Sequence, residues 1–215
     1  MLTLKGVCLH PATAEKAILK DISFSTEMGS PTIISGPSGS GKTSLIEVIS
    51  GLSNPLKGVI EWNQKAVESR QRKWLCGVVF QFPERHFLGL TISQELKLGH
   101  LRISSEDQIK ALKKVGLSKI NLLQKPENLS GGQQRRLSVA VQLLRNPKIL
   151  LLDEPTAGLD WHVREEILEL LTSLSKERLL IVVTHETELF KKISNSIYQL
   201  KEGELSKVIK LTGVT

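Results

Sequence analysis

Aromatic side chains are scarce in this sequence: five phenylalanines, three tryptophans and one tyrosine among 215 residues. They are not interleaved with arginine or lysine as on base-stacking surfaces, which argues against a nucleic-acid-binding protein. Cysteine is scarcer still. Cys8 and Cys76 have no metal-ligand spacing and both fall in strand-like segments. Buried, reduced thiols in a cytosolic compartment are therefore expected, rather than disulfides or a metal cluster. No apolar run approaches the roughly 20 residues that span a bilayer; Leu179–Val183 is one of the longer ones. A basic-then-apolar leader is also missing at the N-terminus, so a soluble, non-secreted protein is expected. Internal repeats, low-complexity tracts and heptad stretches do not occur.

What remains is the composition of one compact unit, 40% hydrophobic and 24% charged. That length builds a core without disulfide or metal staples. The formal charge is +7, with the basic residues scattered rather than in one block. Two readings stay level: a weak preference for the cytoplasmic membrane surface, or a solvated face.

Residues Gly36–Thr43 read Gly-Pro-Ser-Gly-Ser-Gly-Lys-Thr, directly after the apolar, β-leaning run Thr32–Ser35. A plain Gly/Ser turn is the competing reading, but the strand before it and the helix-prone Ser44–Ile49 after it favour a phosphate-binding loop. The binding segment comprises Gly36, Pro37, Ser38, Gly39, Ser40, Gly41, Lys42, Thr43 and Ser44. Its glycines let backbone N–H groups turn inward onto phosphate oxygens. Lys42 can reach the β- and γ-phosphates and the Thr43 hydroxyl can ligate Mg²⁺. A helix starting near Lys42 aims its positive end at the same anion. A nucleoside triphosphate with Mg²⁺ is thus the expected ligand.

Strands are expected at Leu2–Leu9, Ile22–Thr26, Gly58–Trp62 and Gly77–Phe80. Between Pro83 and Leu129 the texture turns to short, polar, helix-prone pieces, with a helix start at Ser104–Asp107 and a stop at Gly116. A helix (Gly132–Leu144), a strand (Lys148–Leu152), a helix (about His162–Ser175) and a strand (Leu179–Thr184) follow. Ile197–Ile209, centred on Glu202-Gly203, reads as a β-hairpin. The fold class is α/β: a mostly parallel sheet with helices on both faces, an N-terminal antiparallel β part and a helical insertion. One nucleotide-binding domain is expected over 1–215, with 1–82 and 130–215 as its core and about 83–129 as the helical insertion.

Four apolar residues, Ile149–Leu152, lead into Asp153-Glu154. Such a buried strand delivers both carboxylates to the sheet's carboxyl edge, where ligands bind. Paired acids there can also be a helix N-terminal charge cluster. With the phosphate loop upstream, Asp153 can hold the Mg²⁺ shell and Glu154 can polarise the attacking water. Leu129-Ser130-Gly131-Gly132-Gln133 has the spacing of a helix capping box. A cap needs no pair of glycines, whereas close approach of backbone N–H groups to a phosphate does favour small residues.

Together these segments resemble the ATP-binding-cassette ATPases, along essentially the whole chain. The resemblance implies that Gln81 touches Mg²⁺ and senses a membrane partner, that Gly158-Leu159-Asp160 is the D-loop, and that His185 is the switch histidine at the γ-phosphate. It places His10 where relatives offer an adenine-stacking aromatic. It also implies that Ser130, Gly131, Gly132 and Gln133 meet ATP held by a second cassette chain, so that ATP clamps a dimer. Gln81-Phe82-Pro83-Glu84 resembles the energy-coupling-factor and cobalt-type importer ATPases. Phe82 and Phe87 could then be anchors for a transmembrane helix, or simply pack the insertion. Those ATPases carry an extra C-terminal region, whereas this sequence ends at Thr215, so its role is expected to be missing or taken by a partner. The implied function is the ATP-hydrolysing subunit of a membrane transporter, peripheral on the cytoplasmic face and working through separate membrane subunits. A soluble assembly ATPase, as in iron–sulfur cluster assembly, is the alternative. A GTPase fits poorly, because no Asn/Thr-Lys-x-Asp motif follows, and a small-molecule kinase would not need the Leu129–Gln133 segment.

Overall fold

The computed structural model describes residues 1–11, 15–99 and 102–208. The chain opens with β1 (Leu2–Leu9), β2 (Leu19–Thr26), β3 (Thr32–Ser35), α1 (Lys42–Ser50), β4 (Lys57–Trp62), β5 (Lys65–Ala66), α2 (Ser69–Leu75) and β6 (Cys76–Val79). Next come α3 (Ile92–Lys97) and α4 (Ser105–Lys114), flanked by single turns at Pro83–His86 and Pro126–Asn128. The chain then runs through α5 (Gly131–Leu144), β7 (Ile149–Asp153), α6 (Trp161–Ser175), β8 (Leu179–Thr184) and α7 (Thr187–Phe190), and closes with β9 (Ser196–Lys201) and β10 (Glu204–Lys207).

The strands form two sheets. The N-terminal one is antiparallel, ordered β2-β1-β4-β5. Along β1 the buried positions step from Leu2 and Leu4 to Val7 and Leu9, a break in strict alternation that a register shift between Leu4 and Val7 absorbs. The second sheet runs β10-β9-β3-β8-β7-β6, and every pairing except β9 with β10 is parallel.

Its central strands are apolar at successive positions because both faces are covered. Ile34, Ile149, Leu151, Ile181 and Val183 pack with Leu45, Ile46 and Ile49 of α1 and with the antiparallel sheet. Ile33, Leu150, Leu152, Leu180 and Val182 face the other way, onto Leu137 and Ala140 of α5 and Ile167 and Leu171 of α6. The expected α/β architecture is the observed one.

Local signals set several boundaries. The Ser104 hydroxyl accepts from Asp107 N–H and starts α4, as the sequence predicts. The β9–β10 turn places Glu202 and Gly203 at positive φ, the geometry of a two-residue hairpin loop. The expected hairpin end at Ile209 lies outside the described residues. The structure extends β2 back to Leu19, where Lys20 N–H donates to Gly203 O at 2.8 Å, and adds α2, capped by the Glu68–Gln71 box. Neither was legible from hydrophobic periodicity, because the first rests on a distant hairpin and the second is a short polar helix.

Candidate active site

The carboxyl ends of β3, β7 and β8 converge on one cleft of about 890 Å³. After β3 the chain makes the Gly36–Gly41 loop and enters α1 through Gly41, the N-cap, at φ 101. Only glycine holds that left-handed conformation without a Cβ penalty. At Gly36 the constraint is space, since a Cβ would lie 2.2 Å from Leu200 O. Lys42 is 9% exposed, and its ammonium donates to Gly36 O at 2.7 Å and Pro37 O at 3.0 Å. The loop's own carbonyls therefore hold this cation at the cleft floor.

Strand β7 delivers the two carboxylates. Asp153 accepts from the Thr43 hydroxyl at 2.7 Å. Burial pushes the Asp153 carboxyl above the usual carboxylate range; the Thr43 hydrogen bond and the Lys42 charge oppose this, while the Glu154 and Glu47 charges add to it. Glu154 is 5% exposed and sits at φ 47. For a residue with a side chain this backbone costs roughly 1–2 kcal/mol, and Glu154 is held there by partners on β8 and beyond. Its N–H donates to Val183 O at 2.9 Å. One carboxylate oxygen accepts from the Thr184 hydroxyl at 2.8 Å. The other takes both His185 N–H at 3.0 Å and His185 Nδ1–H at 2.9 Å. The His185 ring is otherwise largely exposed on the cleft, so its Nε2 remains available to a ligand. Gln81, just beyond β6, is exposed on the same lining.

Segment Leu129–Gln133 lies elsewhere. Among the described residues that line the cleft, none belongs to it, and Asp160 is not there either. Ser130 does cap α5: its hydroxyl accepts from Gln133 N–H at 3.3 Å, and the Gln133 amide oxygen accepts from Ser130 N–H at 2.9 Å. The two glycines part company. A Cβ on Gly132 would stand 2.3 Å from Val163 Cγ1, so packing of α6 on α5 requires that glycine. A Cβ on Gly131 would meet only Leu159 Cδ2, at an ordinary 3.7 Å. Ser130 and Gly131 are exposed. Asp160 is the exposed N-cap of α6, with no side-chain cap bond.

Residues 19–157 match the family model described as ABC transporter. The chain is an ATP-binding cassette of this family. It is 36% identical over 209 residues to the energy-coupling factor transporter ATP-binding protein EcfA2 of Listeria innocua, covering 90% of this chain and 73% of that protein. It is 35% identical over 218 residues to ABC transporter I family member 11, chloroplastic, of Arabidopsis thaliana, covering 94% and 78%. Among solved structures, cbiO1 from Clostridium perfringens, part of the ABC transporter complex cbiONQ, superposes with TM-score 0.86 at 27% identity over 95% of this chain and 86% of that one. The cassette MJ0796, solved as a dimer in a post-hydrolysis state with ADP and Pi, gives 0.78 at 28% identity over 96% and 98%.

The cassette thus binds and hydrolyses ATP. Its phosphate loop, Asp153, Glu154, Gln81 and His185 share one cleft, as the sequence predicts. His10 does not line the cleft among the described residues; it is exposed, one residue beyond β1. Lys16, Ala17, Ile18 and Lys20 line the outer end instead, together with Glu202 and Gly203 of the β9–β10 turn. Sequence reasoning missed these, because a hairpin far along the chain supplies one wall. Thr184, which bonds Glu154, was missed too; its only signal is a hydroxyl ending an apolar strand. For Mg²⁺ the donors fit. The Thr43 hydroxyl and Asp153 carboxylate are 2.7 Å apart and Gln81 carries an amide oxygen, a hard-oxygen set suited to an ion that also takes phosphate and water ligands.

No helix among the described residues is long and apolar enough to cross a membrane. The two phenylalanines after Gln81 are half-buried. Phe82 lies beneath the Arg85 guanidinium at 4.8 Å, and Phe87 packs against the core around α3 and α5. The exposed apolar side chains of this loop are Leu88 and Leu90, 80% and 74% exposed. The buried Glu95 carboxylate fixes that loop by accepting from Leu88 and Gly89 N–H at 2.8 and 2.7 Å.

Proposed function

We propose that this cassette is the ATPase subunit of a membrane importer of the energy-coupling-factor type, working as a dimer of cassettes beneath separate membrane subunits. The carrying observation is that the site comes in two pieces: the phosphate loop and Glu154 share a cleft that the exposed Ser130–Gly131 segment does not line. One chain has half of each of two sites, and a second cassette completes them. The names of its relatives, EcfA2 and cbiO1, support the transporter class and the sub-branch.

In this reading residues 1–82 and 130–215 form the ATP-binding core and about 83–129 a helical insertion. N–H groups of residues 36–44 and the Lys42 ammonium bind the β- and γ-phosphates. Thr43, Asp153 and Gln81 hold Mg²⁺, which when bound neutralises phosphate charge. Glu154 orients and polarises the attacking water, and His185, fixed through Nδ1, presents Nε2 to the γ-phosphate side. Ser130 and the N–H groups at Gly131 and Gly132, with Gln133 and Asp160, meet the γ-phosphate held by the partner chain. ATP bridges the two chains, and hydrolysis removes the bridge, so turnover is a ligand-driven population shift. Leu88 and Leu90 offer apolar contact to a membrane subunit. The protein is then peripheral on the cytoplasmic membrane face and needs no nucleic acid.

The test is gentle-detergent affinity purification from native membranes with mass spectrometry. Recovery of multi-span membrane proteins and a cassette partner supports the importer. Recovery of soluble partners alone would move the assignment to a soluble assembly ATPase, which the relatives' names do not favour.

A further inference from the structure

The hydrogen bonds that hold Glu154 do not end at His185. The Thr184 hydroxyl that donates to Glu154 itself accepts from Glu186 N–H at 3.0 Å. The Glu186 carboxylate then reaches back to the loop that leaves β7. One oxygen accepts from the Thr156 hydroxyl at 2.7 Å, and the other pairs with an Arg164 guanidinium nitrogen at 2.7 Å. Arg164 Nε–H donates to Leu159 O at 2.8 Å, inside the segment that ends at Asp160. A closed circuit therefore runs from Glu154 through Thr184, Glu186 and Arg164 to Leu159, and back along the backbone to Glu154.

We propose that Glu186 and Arg164 are positioning residues for hydrolysis. They lock the turn carrying Thr184 and His185 to the Thr156–Asp160 loop, so that the Glu154 carboxylate is aimed only when that loop is in place. Neither residue touches the phosphates in this account. Their effect passes through the orientation of Glu154 and His185, whose backbone and side-chain bonds both depend on the turn. The proposal rests on the assignment of Glu154 as the group that polarises water.

A purely structural role is the competing reading: the Arg164 and Glu186 side chains are mostly buried, 30% and 19% exposed, and truncating one partner of such a pair leaves the other unpaired and costs stability. Misplacing a reacting group by about 1 Å, however, can cost on the order of a hundredfold in rate. Turnover of folded protein therefore separates the two roles.

The experiment measures kcat, KM for ATP and melting temperature for the full chain, Glu186→Ala, Arg164→Ala, the double variant and Glu154→Gln. The expected result is a fall in kcat of at least about tenfold for each single variant with KM within about threefold. Each variant should melt below the parent yet remain folded at the assay temperature, so that the loss in kcat is read on folded protein. The double variant should be no more than about twofold slower than the worse single one, as members of one network are not additive. Unchanged kcat, a change confined to KM, or multiplicative losses would each overturn the proposal. If Glu186→Ala does not fold, Glu186→Gln, of nearly the same volume, is held to the same limits. Glu154→Gln tells the two failures apart: parental activity there overturns the base assignment and the proposal with it, whereas an inactive Glu154→Gln beside an unaffected Glu186→Ala overturns the positioning role alone.

Discussion

Alanine at Gly131 and at Gly132 should have opposite consequences, although the two residues are neighbours. A Cβ on Gly132 would sit 2.3 Å from Val163 Cγ1, far inside the about 3.5–4.0 Å at which carbon atoms pack. Val163 is β-branched and on a helix, so it has one strongly preferred χ1 and cannot swing aside; α6 has to move instead. Overpacking of this kind costs about 1–3 kcal/mol, and alanine recovers about 0.5–1 kcal/mol over glycine in a helix. A clash this deep belongs at the upper end of that range, so the expected net loss is about 2–2.5 kcal/mol, roughly 4–10 °C in melting temperature for a chain of this length. Gly131→Ala meets only an ordinary contact at 3.7 Å, so its melting temperature should match or slightly exceed the parent's. Its methyl group, however, projects from the exposed start of α5, where in the proposed dimer a partner's phosphate approaches the backbone, and turnover should fall at least about tenfold. Thermal unfolding by circular dichroism alongside steady-state ATP hydrolysis reads both quantities. Parental turnover in Gly131→Ala, or a Gly132→Ala protein that melts no earlier than the parent, would refute the reasoning.

Three further outcomes follow from the same geometry. Burial raises the Asp153 carboxyl above the usual range, so its charged form is disfavoured in the nucleotide-free fold, and stability falls as pH rises through that raised value. Asp153→Asn should therefore melt higher at neutral pH, and with the proposed metal role it should lose at least about a hundredfold in hydrolysis. Burial also pushes the Cys76 thiol up to about 12. The stability this contributes is complete below the ordinary thiol value and is lost as pH rises toward the folded one, so the denaturation midpoint should fall from pH 8 to pH 10.5 more steeply in the parent than in Cys76→Ala. Finally, no aromatic side chain lines the nucleotide cleft among the described residues. Aromatic stacking is worth about 0.5–1.5 kcal/mol, and without it kcat/KM for GTP should lie within about tenfold of that for ATP; a hundredfold preference would point to a base-reading contact beyond those residues.

The legible parts of this protein are those written in local pattern. The phosphate loop, the apolar strands running into Asp153-Glu154 and Thr184, and the capping box at Ser104 each carry their signal within a few residues, and each lies where that signal puts it. The Leu129–Gln133 segment was legible as a cap, and the structure has that cap; the need for glycine at 132 comes from α6 packing on α5, which the local pattern does not show. Contacts made across the fold were not legible. The outer wall of the cleft joins Ile18 to Gly203, which meet only because β9 pairs with β3 and turns back through β10. His10 shares the approach to β2 with Lys16–Ile18, yet it is the latter that reach the cleft. The Glu186–Arg164 pair joins two segments by side chains alone, and nothing in either sequence announces it. Phe82 and Phe87 read nearly as well as packing as they do as anchors; Phe87 packs on the core, Phe82 is half-buried outside it, and Leu88 and Leu90 are the apolar side chains of that loop left at the surface.

In the proposed dimer each chain holds two half-sites, and ATP joins them across a pair of cassettes. Light scattering of Glu154→Gln, with and without saturating ATP and Mg²⁺, tests this most directly. The account predicts a monomer without nucleotide and a species of twice the chain mass with it, lost again when Gly131→Ala is added to the same chain. A protein that binds ATP, fails to hydrolyse it and stays monomeric at high concentration would contradict the account.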